Sequence, residues 1–171
     1  MPKAPETAMA RGAQLSALAS VVHEKTTDKA LMELLEHAEK EEGGGGDDDK
    51  SRVLELTRKT LEETARVPAE LAAKKAEHGA LAHGAWAKAR ETNDFNSFVP
   101  ALSECFQISK DMAAAKRESS EIKLYDQMLD DFEMGMKAER IDEVFMEIEK
   151  SLVPLIQKVR NSSTKPSTDP L

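Results

Sequence analysis

The sequence predicts an all-α fold, arranged as antiparallel helical hairpins in a bundle. Three observations carry that expectation. Aromatic residues make up only 4% of the 171 residues, too few for the aromatic and β-branched surfaces of a sandwich. Apolar residues recur every three to four positions in one stretch after another, the spacing that lines one side of a helix turning about 100° per residue. No run of alternating residues is long enough for a strand. With 40% hydrophobic and 33% charged residues, the composition excludes wholesale disorder, and the length suits one domain.

Leu15, Leu18, Ala19 and Val22 give the first helix its expected buried side, ending near Thr26. Thr27 or Asp28 then caps the second helix by accepting a free backbone N–H, and Leu31, Leu34, Leu35 and Ala38 form its apolar side, up to a stop before Gly43. Gly43 to Gly46 followed by Asp47 to Asp49 joins backbone freedom to like-charge repulsion. Residues 43–50 are therefore expected to be a flexible connector. From Ser51 the period resumes through Val53, Leu54, Thr57, Leu61 and Thr64. Pro68 breaks or restarts the rod, because proline is tolerated in a first turn, where its missing N–H has no partner to lose.

Residues 68–91 read as a long helix with Leu71, His78, Ala82, Ala85 and Ala89 along one side, where the small alanines admit a close neighbour. Thr92 to Asn96 form a turn. After Pro100, a helix carries Leu102, Cys105, Phe106, Ser109, Met112 and Ala113 to about Lys116. Arg117 to Lys123 reads as a loop, and Tyr125 to Phe132 as a short helix closed by Gly135. The cleanest stripe comes last: Ile141, Val144, Phe145, Ile148, Leu152, Leu155, Ile156 and Val159, with Pro154 placed to bend it. Residues 1–160 are thus one helical region, and 161–171 a loose tail of turn formers.

Charge and composition exclude several functions. Lys plus Arg total 24 against 32 Asp plus Glu, a formal charge of -8 that repels phosphate backbones, and no basic cluster offsets it; no nucleic-acid partner is expected. A single cysteine, Cys105, excludes an intrachain disulfide and a multi-cysteine zinc cage. Met1 to Met9 lack the apolar run of a signal peptide, and no stretch approaches the roughly 20 apolar residues of a membrane span, so a cytoplasmic location is expected.

Candidate catalytic chemistry is sparse. His23-Glu24 begins like the zinc-peptidase pattern H-E-x-x-H, which sets two imidazoles one turn apart beside a basic carboxylate, but the fifth position is Thr27. Near a helix end, His23 is expected to meet the last carbonyls instead. His78 and His83 are five apart, about 500° of rotation, and so lie some 140° from each other on the cylinder, poorly placed to share a metal. His37, between Glu36 and Glu39, reads as solvated. Asp126, Asp130, Asp131 and Glu133 could draw a hard cation, but nothing nearby supplies the remaining ligands. Asp47 to Asp49 lack the spacing of a calcium loop, and no phosphate-binding glycine motif occurs. Cys105, on an apolar stripe, is expected to be an inert buried thiol. No catalytic or metal-ligating residue is therefore assigned.

Several segments taken together resemble the carboxypeptidase Taq family of zinc metallocarboxypeptidases. Met1-Pro2 with Arg11, Gln14, Leu15 and Leu18 resembles its M-P…R-x-x-Q-L-x-x-L stretch, and His23-Glu24-Lys25 with Thr27-Asp28 its H-E-K-x-T-D. Arg66 to Leu71 resembles its R-V-P-x-E-L turn. Trp86, Ala89, Arg90, Asp94, Phe95, Phe98 and Pro100 are similar to its W-x-x-A-R…D-F-x-x-F-x-P block. Tyr125-Asp126, Leu129-Asp130, Glu133 and Gly135-Met136 resemble its Y-D-x-L-L-D-x-Y-E-P-G-M segment, and Leu152 to Ile156 its L-V-P-L-[IV] run. Two departures stand out: Met134 takes the place of the proline expected after Glu133, and the Gly43 to Asp49 connector is unusually glycine-rich.

The resemblance implies the amino-terminal helical part of a zincin-type, neurolysin-like metallocarboxypeptidase, an enzyme that removes residues from peptide carboxyl termini. The family's H-E-x-x-H helix lies downstream, so the implied zinc belongs to the complete enzyme, none is expected on this chain, and the chain is expected to be inactive alone. Its implied partners are a missing catalytic domain, peptide substrates and a second copy in a homodimer. The alternative is a non-catalytic helical binding or regulatory module derived from the same scaffold, and the reading frame beyond Leu171 separates the two. A missing partner domain would leave Phe95, Phe98, Phe132 and Phe145 uncovered.

Overall fold

Small residues and a proline corner, more than the leucine stripes, organise the first part of the chain. A computed structural model describes residues 7–41 and 49–164, and every regular element among them is helical. The chain divides into two compact units, residues 1–124 and 125–171.

In the first unit, α1 (Ala8–Thr26) and α4 (Ala69–Thr92) make the most extensive pairing among the described residues. They run antiparallel: Ala8 lies against Gly84, Gly12 against Glu77, and His23 reaches Val67 just ahead of α4. The approach is close because glycines occupy the contact. A Cβ added at Gly12 would come within 3.2 Å of the Glu77 carbonyl oxygen, and one at Gly84 within 3.2 Å of the Ala8 Cβ. This geometry corrects the expected buried side of α1. Gly12 is buried, while Leu18 is 62% exposed and Val22 and Leu15 are also exposed. The side of α1 without bulky residues is the one that can approach α4 most closely, which turns Leu18 and Val22 outward.

The second hairpin is α2 (Lys29–Glu41) with α3 (Asp49–Arg66). Of the two expected caps, Asp28 acts: its Oδ1 accepts the Ala30 N–H at 2.9 Å. Leu35 and Leu61 are buried, whereas Leu34 and Val53 are exposed. A two-pronged ion pair clamps the hairpin, with Arg58 Nε donating to Glu39 Oε1 at 2.7 Å and a second guanidinium nitrogen to Oε2. The expected connector falls mostly outside the described residues, but its last two positions, Asp49 and Lys50, already belong to α3; an acidic residue suits that helix start.

The α3–α4 corner is a hub. Val67 is 4% exposed, and its carbonyl accepts from His23 Nε2 at 2.7 Å. Pro68 sits just before α4, in extended backbone, rather than in its first turn. Arg66 donates to the Lys116 carbonyl at 2.6 Å and to Glu118 at 3.2 Å, so a cation closes the end of α5 (Val99–Lys116). Between α4 and α5, Asn93 takes the left-handed conformation, φ 52°, and a short 3-10 turn, Phe95–Ser97, follows with Asp94 accepting the Ser97 N–H. α5 lies on α4, where Ile108, Ala113, Ala82 and Ala89 are buried and Lys74 pairs with Glu104 at 2.6 Å.

The second unit begins one residue into α6 (Leu124–Asp130), which is shorter than expected, and residues 131–135 form turns. Asp130 Oδ1 accepts the Gly135 N–H at 2.7 Å, and Asp126 Oδ1 accepts the Ala138 N–H at 2.9 Å, which fixes the start of α7 (Ala138–Asn161). Gly135 has φ +81°, and the turn closes with Met134 in the place where the family pattern has proline. α7 continues unbroken past Pro154 to Asn161, one residue into the expected tail; residues 165–171 lie outside the described part.

Candidate functional site

Each histidine singled out by the sequence has a partner of its own. His23 is bonded to the Val67 carbonyl, a different segment from the helix-end carbonyls expected for it. His78 Nε2 lies 3.0 Å from the Ala101 carbonyl and ties α4 to α5. His83 lies on the α1–α4 side with its ring 5.7 Å from that of Trp86, and exposed His37 lies 3.5 Å from Glu41. The structure brings none of these imidazoles together. Among the described residues no group of three or more His, Cys, Asp or Glu is placed to hold a metal ion. A zinc ion needs several such ligands converging on one point, so these residues do not fit it.

The acidic segment is likewise structural. Asp126 and Asp130 spend an oxygen each on backbone N–H groups of the turn into α7. Cys105 is half-buried rather than enclosed. Two carboxylates do have shifted titration: hydrogen bonding from Arg58 holds the Glu39 carboxyl below its ordinary value, and hydrogen bonding from Lys74 does the same for Glu104. Both pairs join neighbouring helices, Glu39 of α2 to Arg58 of α3 and Glu104 of α5 to Lys74 of α4, and so serve the fold.

In the first unit a groove of about 610 Å³ lies between α1 and α4. Arg11 and Leu15 line it from α1, and Ala72, Lys75, Ala76, Gly79, Ala80 and His83 from α4. It combines cations with a floor of small apolar residues, and among the described residues no carboxylate lines it. Such a groove offers charge and space but no acid–base pair. Sequence reading missed it because Arg11 and Lys75 are 64 positions apart; the one local signal was the column Lys75, Gly79, His83, spaced a helical turn apart.

Against protein-family models, the sequence matches the carboxypeptidase Taq (M32) metallopeptidase model across residues 1–171. The chain belongs to that family. This M32 chain is 28% identical over 166 residues to thermostable carboxypeptidase 1 of Thermus thermophilus, an alignment that takes in 92% of this chain and 32% of that protein. It is 32% identical over 104 residues to thermostable carboxypeptidase 1 of Pyrococcus furiosus, covering 61% of this chain and 20% of the other. Among solved structures, metallocarboxypeptidase 1 of Trypanosoma cruzi shares the fold with a TM-score of 0.72 and 27% identity, over 98% of this chain and 34% of that one. The BsuCP crystal structure shares it with a TM-score of 0.85 and 24% identity, over 98% and 33%. The M32 chain therefore spans about a third or less of the carboxypeptidases it matches.

Proposed function

We propose that these residues are the amino-terminal helical part of a zinc metallocarboxypeptidase that releases residues from peptide carboxyl termini, and that they are inactive on their own. The observation that carries this reading is the family match along the whole chain combined with coverage of only about a third of the matched carboxypeptidases. The histidine geometry supports it, since every imidazole has a structural neighbour and none converges with another. In the complete enzyme zinc would polarise the scissile carbonyl and activate water, with its ligands supplied outside these residues. The helices here would contribute a wall of the substrate groove. Among the described residues no helix is long and apolar enough to cross a membrane, and a cytoplasmic enzyme accords with the reading.

The test is hydrolysis of a blocked dipeptide by the isolated chain with added zinc. The expected result is no turnover above a metal-free control. Zinc-dependent turnover would overturn the inactivity, and the appearance of activity when the remainder of an M32 enzyme is supplied would support the assignment.

A further inference from the structure

No residue of α7 is buried, yet α7 carries the strongest apolar stripe in the chain. Ile141, Phe145, Ile148, Leu152, Leu155 and Val159 follow one another at alternating steps of four and three, forming one seam along the helix. Val144 and Ile156 flank that seam and widen the stripe to about 120° of the helix surface, at roughly 100° per residue. The width decides what fits. A pair of helices needs only the narrow seam, whereas a stripe of about 100° or more is what a helix presents to the core of a multi-helix body. Both edges of the stripe carry mixed charge: Asp142, Glu149 and Arg160 border one, Arg140, Glu147 and Lys158 the other.

The family comparison supplies a body of the right kind. The fold of these residues recurs as about a third of longer chains, so in those proteins the same helices exist beside twice as much additional polypeptide. We infer that the apolar face of α7 docks against an apolar helical surface on the metal-bearing remainder of a family-length carboxypeptidase, making α7 the anchor of this chain. The inference rests on the proposed function and adds to it the element that makes the contact.

The test mixes the full chain with Thermus thermophilus carboxypeptidase 1 from which the aligned segment has been deleted. Light scattering on eluted material should find a 1:1 complex. The double variant Ile148→Asp/Leu152→Asp should weaken that complex at least tenfold with unchanged helical circular dichroism, because both side chains are exposed in the free chain. Leu34→Asp, on the exposed side of α2, should leave it unchanged. No complex, a complex indifferent to the α7 substitutions, or a dimer of this chain that the same substitutions dissolve would each overturn the inference. An α7-dependent complex without dipeptide hydrolysis would overturn only the peptidase reading. Hydrolysis by a complex indifferent to α7 would overturn only the docking.

Discussion

α4 and α7 have the same length, 24 residues each, and opposite fates. α4 has hardly any apolar side to speak of, being a rod of alanines, glycines and charges, yet it is gripped by α1 on one flank and α5 on another. α7 has the clearest amphipathic pattern and buries nothing. The contrast separates two properties that are easily merged. A stripe of large apolar residues states that a helix gains by being covered, while small residues state how closely a neighbour can come. Only the second was satisfied inside these residues.

Substitutions in the two helices and their surroundings should therefore differ in cost. The largest effect is expected where α1 meets α4. Gly12→Leu forces a side chain against the Glu77 backbone and should destabilise the first unit by about 2–3 kcal/mol, read as a lower urea midpoint; a neutral result would mean the close approach is not what joins the helices. Next comes Gly135→Ala, at about 1 kcal/mol, because φ +81° is a conformation in which a Cβ is strained. The measurement is again the urea midpoint, with loss of α7 helicity ahead of the main transition as the sharper signature.

A pH effect of smaller size should be confined to the first unit. Glu39 and Glu104 have folded pKa values below the ordinary 4.5, so their ion pairs contribute stability at neutral pH that is lost as pH falls below about 4.5 through the lowered values. The Glu39→Gln/Glu104→Gln variant should show a flatter dependence of the urea midpoint between pH 7 and pH 3 than the parent. A steeper dependence would assign the acid sensitivity to other groups. The smallest effect belongs to α7: Leu152→Asp should change the stability of the isolated chain by no more than about 0.5 kcal/mol, as for other exposed positions. A loss of several times that would show that the stripe is already covered in solution, and the comparison with α4 would fail.

Much of the architecture was legible because helices announce themselves locally. The breaks at Thr27-Asp28, at Pro68 and at Arg117 to Lys123 fall where the caps and turn formers indicated, and all seven α-helices among the described residues had been expected. The orientation of each helix was less legible. In α1 the leucines marked one side, but Gly12 and Ala8 decide the contact through a partner some 65 to 76 positions away. Phe95, Phe132 and Phe145, expected to be uncovered, are 64%, 88% and 63% exposed, while Phe98 is partly covered. The histidine roles were unreadable for the same reason as the groove. His23 on Val67 and His78 on Ala101 are bonds to carbonyls in other segments, and a backbone oxygen leaves no trace in side-chain spacing.

The corner at Arg66 to Pro68 joins elements that the chain visits at very different times. An imidazole from α1 holds its carbonyl, and its guanidinium closes the end of α5. Unzipping α1 from its neighbours exposes that oxygen, and pulling α5 away releases the arginine, so either event loosens the same joint. Amide deuterium uptake around Val67 should accordingly lag behind that of the exposed ends of α2, and a cut made there by a protease would disconnect three helices at one stroke.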